Sequence, residues 1–390
     1  MISSTQAPWP QFGALSLEQF MTRHWQRRPL CIRQALPNPL ASVSIEDILT
    51  LGRSGNAQAR LVQRKGDRWS VSHGPHERLP SLRTRHWTLL VNGVDRHLDA
   101  AHHLLRSFRF LPDARIDDLM ISVASEGGGV GPHVDSYDVF LLQAHGRRRW
   151  RIAPPRPWQS VAGAPLRLIA DFEATQTWEL DAGDMLYLPP GWAHEGTAIG
   201  PCMTCSIGAR APSRQEFLAA LLADLADAPG GSDPRFRDPG RAPASRPAAL
   251  PTDLLDQLRR WAQSWQPSAQ QIDHFIGRWM TEPAADVWFE PSAPSLTQAS
   301  LKRQARRSGI VLDRGTRMAW RAGHVYINGE TLSVAPSDRT LLRRLADQRA
   351  LDAQRLSALP ARASLWPLLL TWIEQGWAHP GQTTPLLKPV

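Results

Sequence analysis

Gly127-Gly128-Gly129-Val130-Gly131-Pro132-His133-Val134-Asp135 is the stretch on which the reading of this chain turns. Its companion lies downstream: Asp181-Ala182-Gly183-Asp184-Met185-Leu186-Tyr187-Leu188-Pro189-Pro190-Gly191-Trp192-Ala193-His194. Residues i and i+2 of a strand face the same side, so His133 and Asp135 project together, one imidazole and one carboxylate. Alone, this H-x-D pair reads equally as a surface strand with polar side chains. The companion adds a turn, a short apolar strand, a Pro-Pro-Gly turn and then His194. Two imidazoles and one carboxylate occupy one face of an octahedral ion and leave three positions open, the arrangement that suits non-haem iron(II). A structural zinc site would close with four ligands, usually including thiolates, and none is offered here. His133, Asp135 and His194 are therefore the candidate metal ligands and the candidate catalytic centre.

The spacing G-x5-H-x-D followed by G-x5-P-x4-H resembles the two-part metal-binding pattern of cupin barrels. The surroundings agree. Between Asp118 and Ala209, short apolar runs alternate with Gly and Pro turns: Leu119–Val123, Val139–Gln143, Arg148–Ile152, Gln176–Leu180, Met185–Leu188 and Met203–Ile207. Many short strands at this spacing predict a sandwich or barrel. Within the run Gly-Arg-Arg-Arg-Trp-Arg-Ile, from Gly146 to Ile152, strand alternation puts Arg148 on one face with Trp150 and Ile152. Arg147, Arg149 and Arg151 fall on the other face. If the apolar pair faces the interior, Arg148 goes with it, and a buried guanidinium needs an anion. A protein carboxylate would serve. So would a ligand carboxylate, and the two-pronged guanidinium suits the distal carboxylate of 2-oxoglutarate.

Outside this segment the chain reads as helical at both ends. Ser16 caps a helix over 15–27, Ser44 to Leu51 is a second, and Leu98 to Arg106 a third, with strands at Arg60–Val71 and Trp87–Val91. Ser213 caps a helix carrying Phe217, Leu218, Leu221, Leu222 and Leu225. A Pro/Gly/Arg-rich linker spans 228–251. Two further helices present Leu254, Leu258, Trp261 and Trp265, then Ile272, Phe275, Ile276 and Trp279. A small bundle that cannot bury these aromatics alone is expected to dimerise. From about Ser295, Ala319–Arg321 and Val325–Ile327 flank a tight turn, Asn328-Gly329 is a two-residue hairpin signal, and helices follow near Ser337–Gln348, Asp352–Ser357 and Leu365–Gln375. A winged-helix module fits. The expected division is 1–211 for the barrel with its N-terminal elements, 212–294 for the helical region and 295–390 for the winged-helix-like part.

Composition narrows the class. A hydrophobic fraction of 42% supports real cores. No run approaches the roughly 18–20 apolar residues of a membrane span, and the N-terminus has no signal-peptide pattern, so a soluble cytoplasmic protein is expected. Three cysteines make no disulfide framework. Cys202 and Cys205 form C-x-x-C inside an apolar strand and read as small buried residues, as does Cys31. The net charge of +9 is compatible with an anionic or nucleic-acid partner but does not establish one.

The motifs Leu119-Met120-Ile121-Ser122, Gly-Gly-Gly-Val-Gly-Pro-His-x-Asp-x-Tyr-Asp-Val-Phe, Gly-Arg-Arg-Arg-Trp-Arg and Leu-Pro-Pro-Gly-x-x-His-Glu-Gly resemble the bacterial ribosomal oxygenases of the YcfD/RoxA type, which are JmjC-type hydroxylases. The resemblance extends over nearly the whole chain and is densest at 118–210. It implies an α+β protein: a double-stranded β-helix (the cupin/JmjC jelly-roll barrel), a helical dimerisation region and a C-terminal winged-helix-like domain. It implies that His133, Asp135 and His194 hold Fe(II), that Ser122 and Arg148 bind the co-substrate 2-oxoglutarate, and that O2 is consumed. It implies that Asp118, Met120, Tyr137 and Ser206 line the pocket for the substrate side chain. The implied reaction is arginine hydroxylation of large-subunit ribosomal protein sixteen by a homodimer.

Two rivals stand beside that expectation. Related JmjC proteins hydroxylate histidine or demethylate lysine, and a metal triad does not distinguish them. A barrel without turnover joined to a nucleic-acid-binding winged helix would draw on Lys302, Arg303, Arg306, Arg307, Arg314 and Arg317, although such a cluster is more often one solvated helix face. Asp117 is as good a carboxylate as Asp118 without the resemblance. Tyr137 reads equally as pocket or core.

Overall fold

The computed structural model describes residues 9–227, 235–241, 243, 248–264, 266–291 and 296–381. Trp265, half of the linker at 228–251 and the expected 294/295 boundary lie outside the described residues. Helices begin where the sequence supplies a cap: α1 (Leu17–Arg23) on Ser16 and α2 (Ile45–Ser54) on Ser44, each closed by a reciprocal bond from the third helical residue. α3 (Asp99–Arg106) has no side-chain cap.

Ten strands form one curled sheet: β1 (Leu30–Ile32), β2 (Ala59–Lys65), β3 (Arg68–His73), β4 (Trp87–Val91), β5 (Ile116–Ala124), β6 (His133–Val134), β7 (Asp138–Ala153), β8 (Gln176–Leu180), β9 (Met185–Leu188) and β10 (Ala193–Ala209). Their order is β1-β9-β7-β10-β5-β4-β2-β3, with β6 on β10 and β8 on β7. The sequence predicts Val139–Gln143 and Arg148–Ile152 as two strands, but β7 is continuous. Gly146 takes a left-handed φ of 64°, and the register against β10 shifts between Ile199 and Met203. The chain bends there without breaking. The first half of β7 pairs with β9 and the second with β8, so β7 and β10 run through both layers of a double-stranded β-helix.

Alternation sorts the side chains. On β5, Leu119, Ile121 and Val123 join the main core with Phe20, Trp87 and Phe140 under the N-terminal helices. Asp118, Met120 and Ser122 therefore face the lumen. A smaller cluster within the barrel combines Val139, Leu141, Trp150, Ile152, Leu186 and Leu188. Cys202 and Cys205, three apart in β10, point to opposite sides and pack in separate clusters, so the C-x-x-C pattern assembles no site.

Beyond the barrel, α4 (Arg214–Ala226) is capped by Ser213, α5 (Thr252–Ser264) buries no residue, and α6 (Ala269–Thr281) stacks Phe275 and Trp279 near Phe217. The winged helix follows. It comprises α7 (Gln298–Ser308), β11 (Ile310–Leu312), a meander β12 (Met318–Arg321), β13 (His324–Ile327) and β14 (Glu330–Ser333), then α8 (Arg339–Gln348), β15 (Ala350–Leu351), α9 (Ala353–Ala358), α10 (Leu365–Glu374) and β16 (Ala378–Pro380). Both meander turns place two residues at positive φ: Asn328-Gly329, as its sequence predicts, and Ala322-Gly323. Trp366 and Trp372 are fully buried in this core, so much of the tryptophan content is packing.

Arg314 and Arg317, grouped in the sequence with the surface cations, point inward. Arg314 pairs with Asp99, and Arg317 bonds the Asp117 carbonyl at 2.9 Å. With the bidentate Arg96–Asp286 pair at 3.0 and 2.6 Å, they join the winged-helix side of the chain to the barrel. Lys302 and Arg306 lie over the Trp366 ring. The expected basic cluster is thus divided between an internal junction and a helix face. Among the described residues no helix is long and apolar enough to cross a membrane.

Candidate active site

The glycine run brings the metal-ligand segment against β10. A Cβ on Gly129 would overlap the Gly196 carbonyl, and one on Gly128 the Trp87 carbonyl, so only hydrogen fits. The backbone of Gly127 and Gly128 exchanges bonds with Ala198 at 3.0 and 2.9 Å. The next segment enters β6, where His133 lies directly opposite His194. Gly191 of the Pro-Pro-Gly turn donates to the Asp135 carbonyl at 2.8 Å. Each motif holds the other in place.

The result is three ligand atoms within 4.8 Å of one another, from His133, Asp135 and His194. The Asp135 Oδ2 lies 4.0 Å from His133 Nε2 and 3.6 Å from His194 Nε2. Both Nδ1 atoms face backbone carbonyls at 3.0 Å, Gly131 for His133 and Trp192 for His194. A carbonyl only accepts, so each Nδ1 carries the proton and each Nε2 lone pair points to the shared space. Burial holds His194 well below its ordinary pKa, with His133 adding to the shift. It is neutral, as a metal ligand must be. The donor set fits a divalent ion with open coordination positions.

Arg148 is 4% exposed. Its Nη1 donates to Ser122 Oγ at 2.9 Å and Thr204 Oγ1 at 3.0 Å, while Nε is buried without a partner. No carboxylate among the described residues pairs with it, and burial lowers its pKa. Of the two anions the sequence allowed, the described residues supply neither a carboxylate of the protein nor any other counter-charge to Arg148. Thr204 was not legible as a site residue, although it lies two positions before Ser206 on the same strand face; its hydroxyl passes the chain of bonds on to buried Gln143 at 2.8 Å. The outward arginines pair at the surface: Arg149 with Glu179 at 2.8 Å and Arg151 with Glu195 at 2.9 Å.

Asp118, Met120 and Ser206 lie on the same lumen side, with Met120 directly opposite Ser206. Asp118 is half-buried and accepts from the Gly93 N–H at 2.8 Å. Burial, with Asp117 and Asp95 nearby, pushes its pKa up to about 6. Asp117 points out and bonds Arg210 at 2.8 Å, which separates the two carboxylates. Tyr137 is 41% exposed, so it is not a core residue. Its ring passes beside Gly208, and a cleft lined by Ser136, Tyr137, Gly208 and Met280 opens there.

Comparison with known proteins places this arrangement. A sequence model of the JmjC domain matches residues 103–217, and one of the ROXA-like winged helix matches residues 261–379. The chain is 32% identical to the ribosomal protein uL16 3-hydroxylase of Escherichia coli, over 93% of this chain and 97% of that protein. It is 27% identical to a probable ribosomal oxygenase of Haemophilus influenzae, over 93% and 95%. The structure of the Escherichia coli ribosomal oxygenase YcfD in complex with cobalt and 2-oxoglutarate superposes with a TM-score of 0.77 at 32% identity, covering 94% of this chain and 98% of that one. By sequence, domain content and architecture, the chain belongs to the JmjC ribosomal oxygenases that carry a ROXA-like winged helix.

Proposed function

We propose that this protein is an Fe(II)- and 2-oxoglutarate-dependent hydroxylase of an arginine on ribosomal protein uL16, with His133, Asp135 and His194 as metal ligands. The observation that carries this reading is the buried, carboxylate-free Arg148 in the same lumen as the triad. A lone buried guanidinium is costly without a counter-charge, and the distal carboxylate of 2-oxoglutarate supplies one. When bound, iron(II) supplies the chemistry that couples conversion of 2-oxoglutarate and O2 to succinate and CO2 with insertion of one oxygen atom into a substrate C–H bond.

The chain's own part is orientation and exclusion. Ser122 and Thr204 fix the Arg148 fork, so the co-substrate enters in one direction. The backbone carbonyls of Gly131 and Trp192 fix the ring tautomers. Asp118 faces the substrate guanidinium and Tyr137 stacks on its plane, while Met120 and Ser206 close the pocket. This polar, anionic pocket favours arginine over histidine.

The test is a peptide series from uL16 carrying arginine, lysine or histidine at the reacting position, with KM followed against pH. Asp118 is uncharged below about 6 and charged above. A cationic substrate therefore binds more tightly as pH rises through that value, and KM falls by up to about ten-fold per pH unit on the acid side. Asp118→Asn removes this limb and leaves the KM for 2-oxoglutarate unchanged. Equal turnover of the histidine peptide, or a limb that survives Asp118→Asn, would contradict arginine recognition.

The second copy belongs to the same proposal. α5 buries no residue, and its Leu254, Leu258 and Trp261 share one face, with Leu258 45% exposed. We expect a homodimer through this face, and Leu258→Glu to convert it to monomer in light scattering. An unchanged mass would place the interface elsewhere.

A further inference from the structure

A cavity of ≈ 330 Å³ lies between α3 and the winged helix, and the candidate active site draws only on Asp118 of its lining. One end reaches Asp117 and Asp118; the other is walled by His102, Arg106, Arg109 and Arg349. The carboxylates along it are already engaged. Arg109 chelates Asp113 at 2.7 and 2.6 Å, Arg96 takes Asp286, Arg210 takes Asp117, and the backbone N–H groups of Leu119 and Gly93 donate to Asp95 and Asp118.

The basic end is not balanced. Arg349 directs its donors at backbone carbonyls, Thr316 at 2.8 Å and Asp313 at 2.5 Å, which satisfies its hydrogen bonds but not its charge. Arg106 Nε is buried without a partner, and so is His102 Nδ1. Among the described residues no carboxylate pairs with Arg106. Burial, with Arg349 and Arg106 close by, pushes His102 down to about 3, so its imidazole stays neutral. A guanidinium with no carboxylate partner at the end of a polar cavity is an arrangement that lacks its anion.

We propose that this end of the cavity binds a small phosphate-class oxyanion, gripped by Arg106, with His102 as a second donor and the Arg109 and Arg349 charges behind. Three guanidinium charges lining one end of a cavity suit a multi-oxygen anion better than a single planar group. The buried donors admit a free ion more readily than a polymer backbone. Because α3 belongs to the barrel and Arg349 follows α8, the ion ties the two modules together. The inference stands independently of the hydroxylase reading.

The experiment is calorimetric titration of the full-length protein with inorganic phosphate in phosphate-free buffer, at matched ionic strength, beside thermal melts. The expected result is saturable single-site binding and a phosphate-dependent rise in Tm. In Arg106→Met, affinity falls by about ten-fold or more. Without phosphate that variant melts no lower than wild type, since it removes an unpaired buried charge. A non-saturating response in wild type, equal binding by the variant, or a variant that melts well below wild type in phosphate-free buffer would overturn the site. A single-stranded RNA that displaces phosphate through Arg106 would overturn the small-ion assignment and make a phosphodiester the ligand.

Discussion

Arg148→Met raises the KM for 2-oxoglutarate by about two to three orders of magnitude, because truncating one partner of a buried charge pair costs ~2–5 kcal/mol. The reason is local. The guanidinium is buried, its Nη1 is fixed by Ser122 and Thr204, and no carboxylate among the described residues meets it. Its counter-charge therefore arrives only with the co-substrate. The same logic predicts the sign of a second readout. Without 2-oxoglutarate, the variant no longer buries an uncompensated cation, and methionine fills similar volume beside Trp150. Its Tm is then equal to wild type or higher by about 2 °C or more, and added 2-oxoglutarate raises Tm in wild type only. Melts with and without 2-oxoglutarate, alongside initial rates, check both. A variant with unaltered KM, or one that unfolds several degrees lower in both conditions, would show that Arg148 is a structural residue with an overlooked partner.

The other large effect is at the triad. His133→Ala and Asp135→Ala each lower metal affinity by more than about a hundred-fold, beyond the loss expected for removing a mere supporting group. Product formation drops below detection. The fold survives: the side chains of His133 and Asp135 are 24% and 22% exposed and sit at the rim rather than in the core. Metal-free wild type and both variants should therefore melt within about 1 kcal/mol of one another. Metal titration by isothermal calorimetry beside circular dichroism separates the two readouts. Retained turnover in Asp135→Ala would mean that another carboxylate completes the site.

How much of this was legible beforehand follows from which interactions are local. Caps at Ser16 and Ser213, and the turn at Asn328-Gly329, are set by residues within three or four positions, and the structure has them. Alternation likewise placed Arg148 with Trp150 and Ile152. What escaped is long-range. β7 runs on through Gly146 because its partners change along its length, and no window of sequence contains those partners. Thr204 gained significance only from Arg148, far away in the chain. The choice between Asp117 and Asp118 needed the register of β5 against its neighbours. Arg314 and Arg317 read as surface charges in the sequence because the barrel carboxylates that face them, Asp99 and Asp117, lie far away in the chain. The cavity at Arg106 belongs wholly to this class, since its walls come from both ends of the chain.

The measurement that bears most directly on the central claim is tandem mass spectrometry of uL16 after incubation with iron-loaded protein, 2-oxoglutarate and O2. The expected result is one added oxygen on a single arginine, succinate in matching amount, and neither with His133→Ala. Metal demonstrably bound at the triad, with no oxygen on uL16 and no succinate, would contradict it.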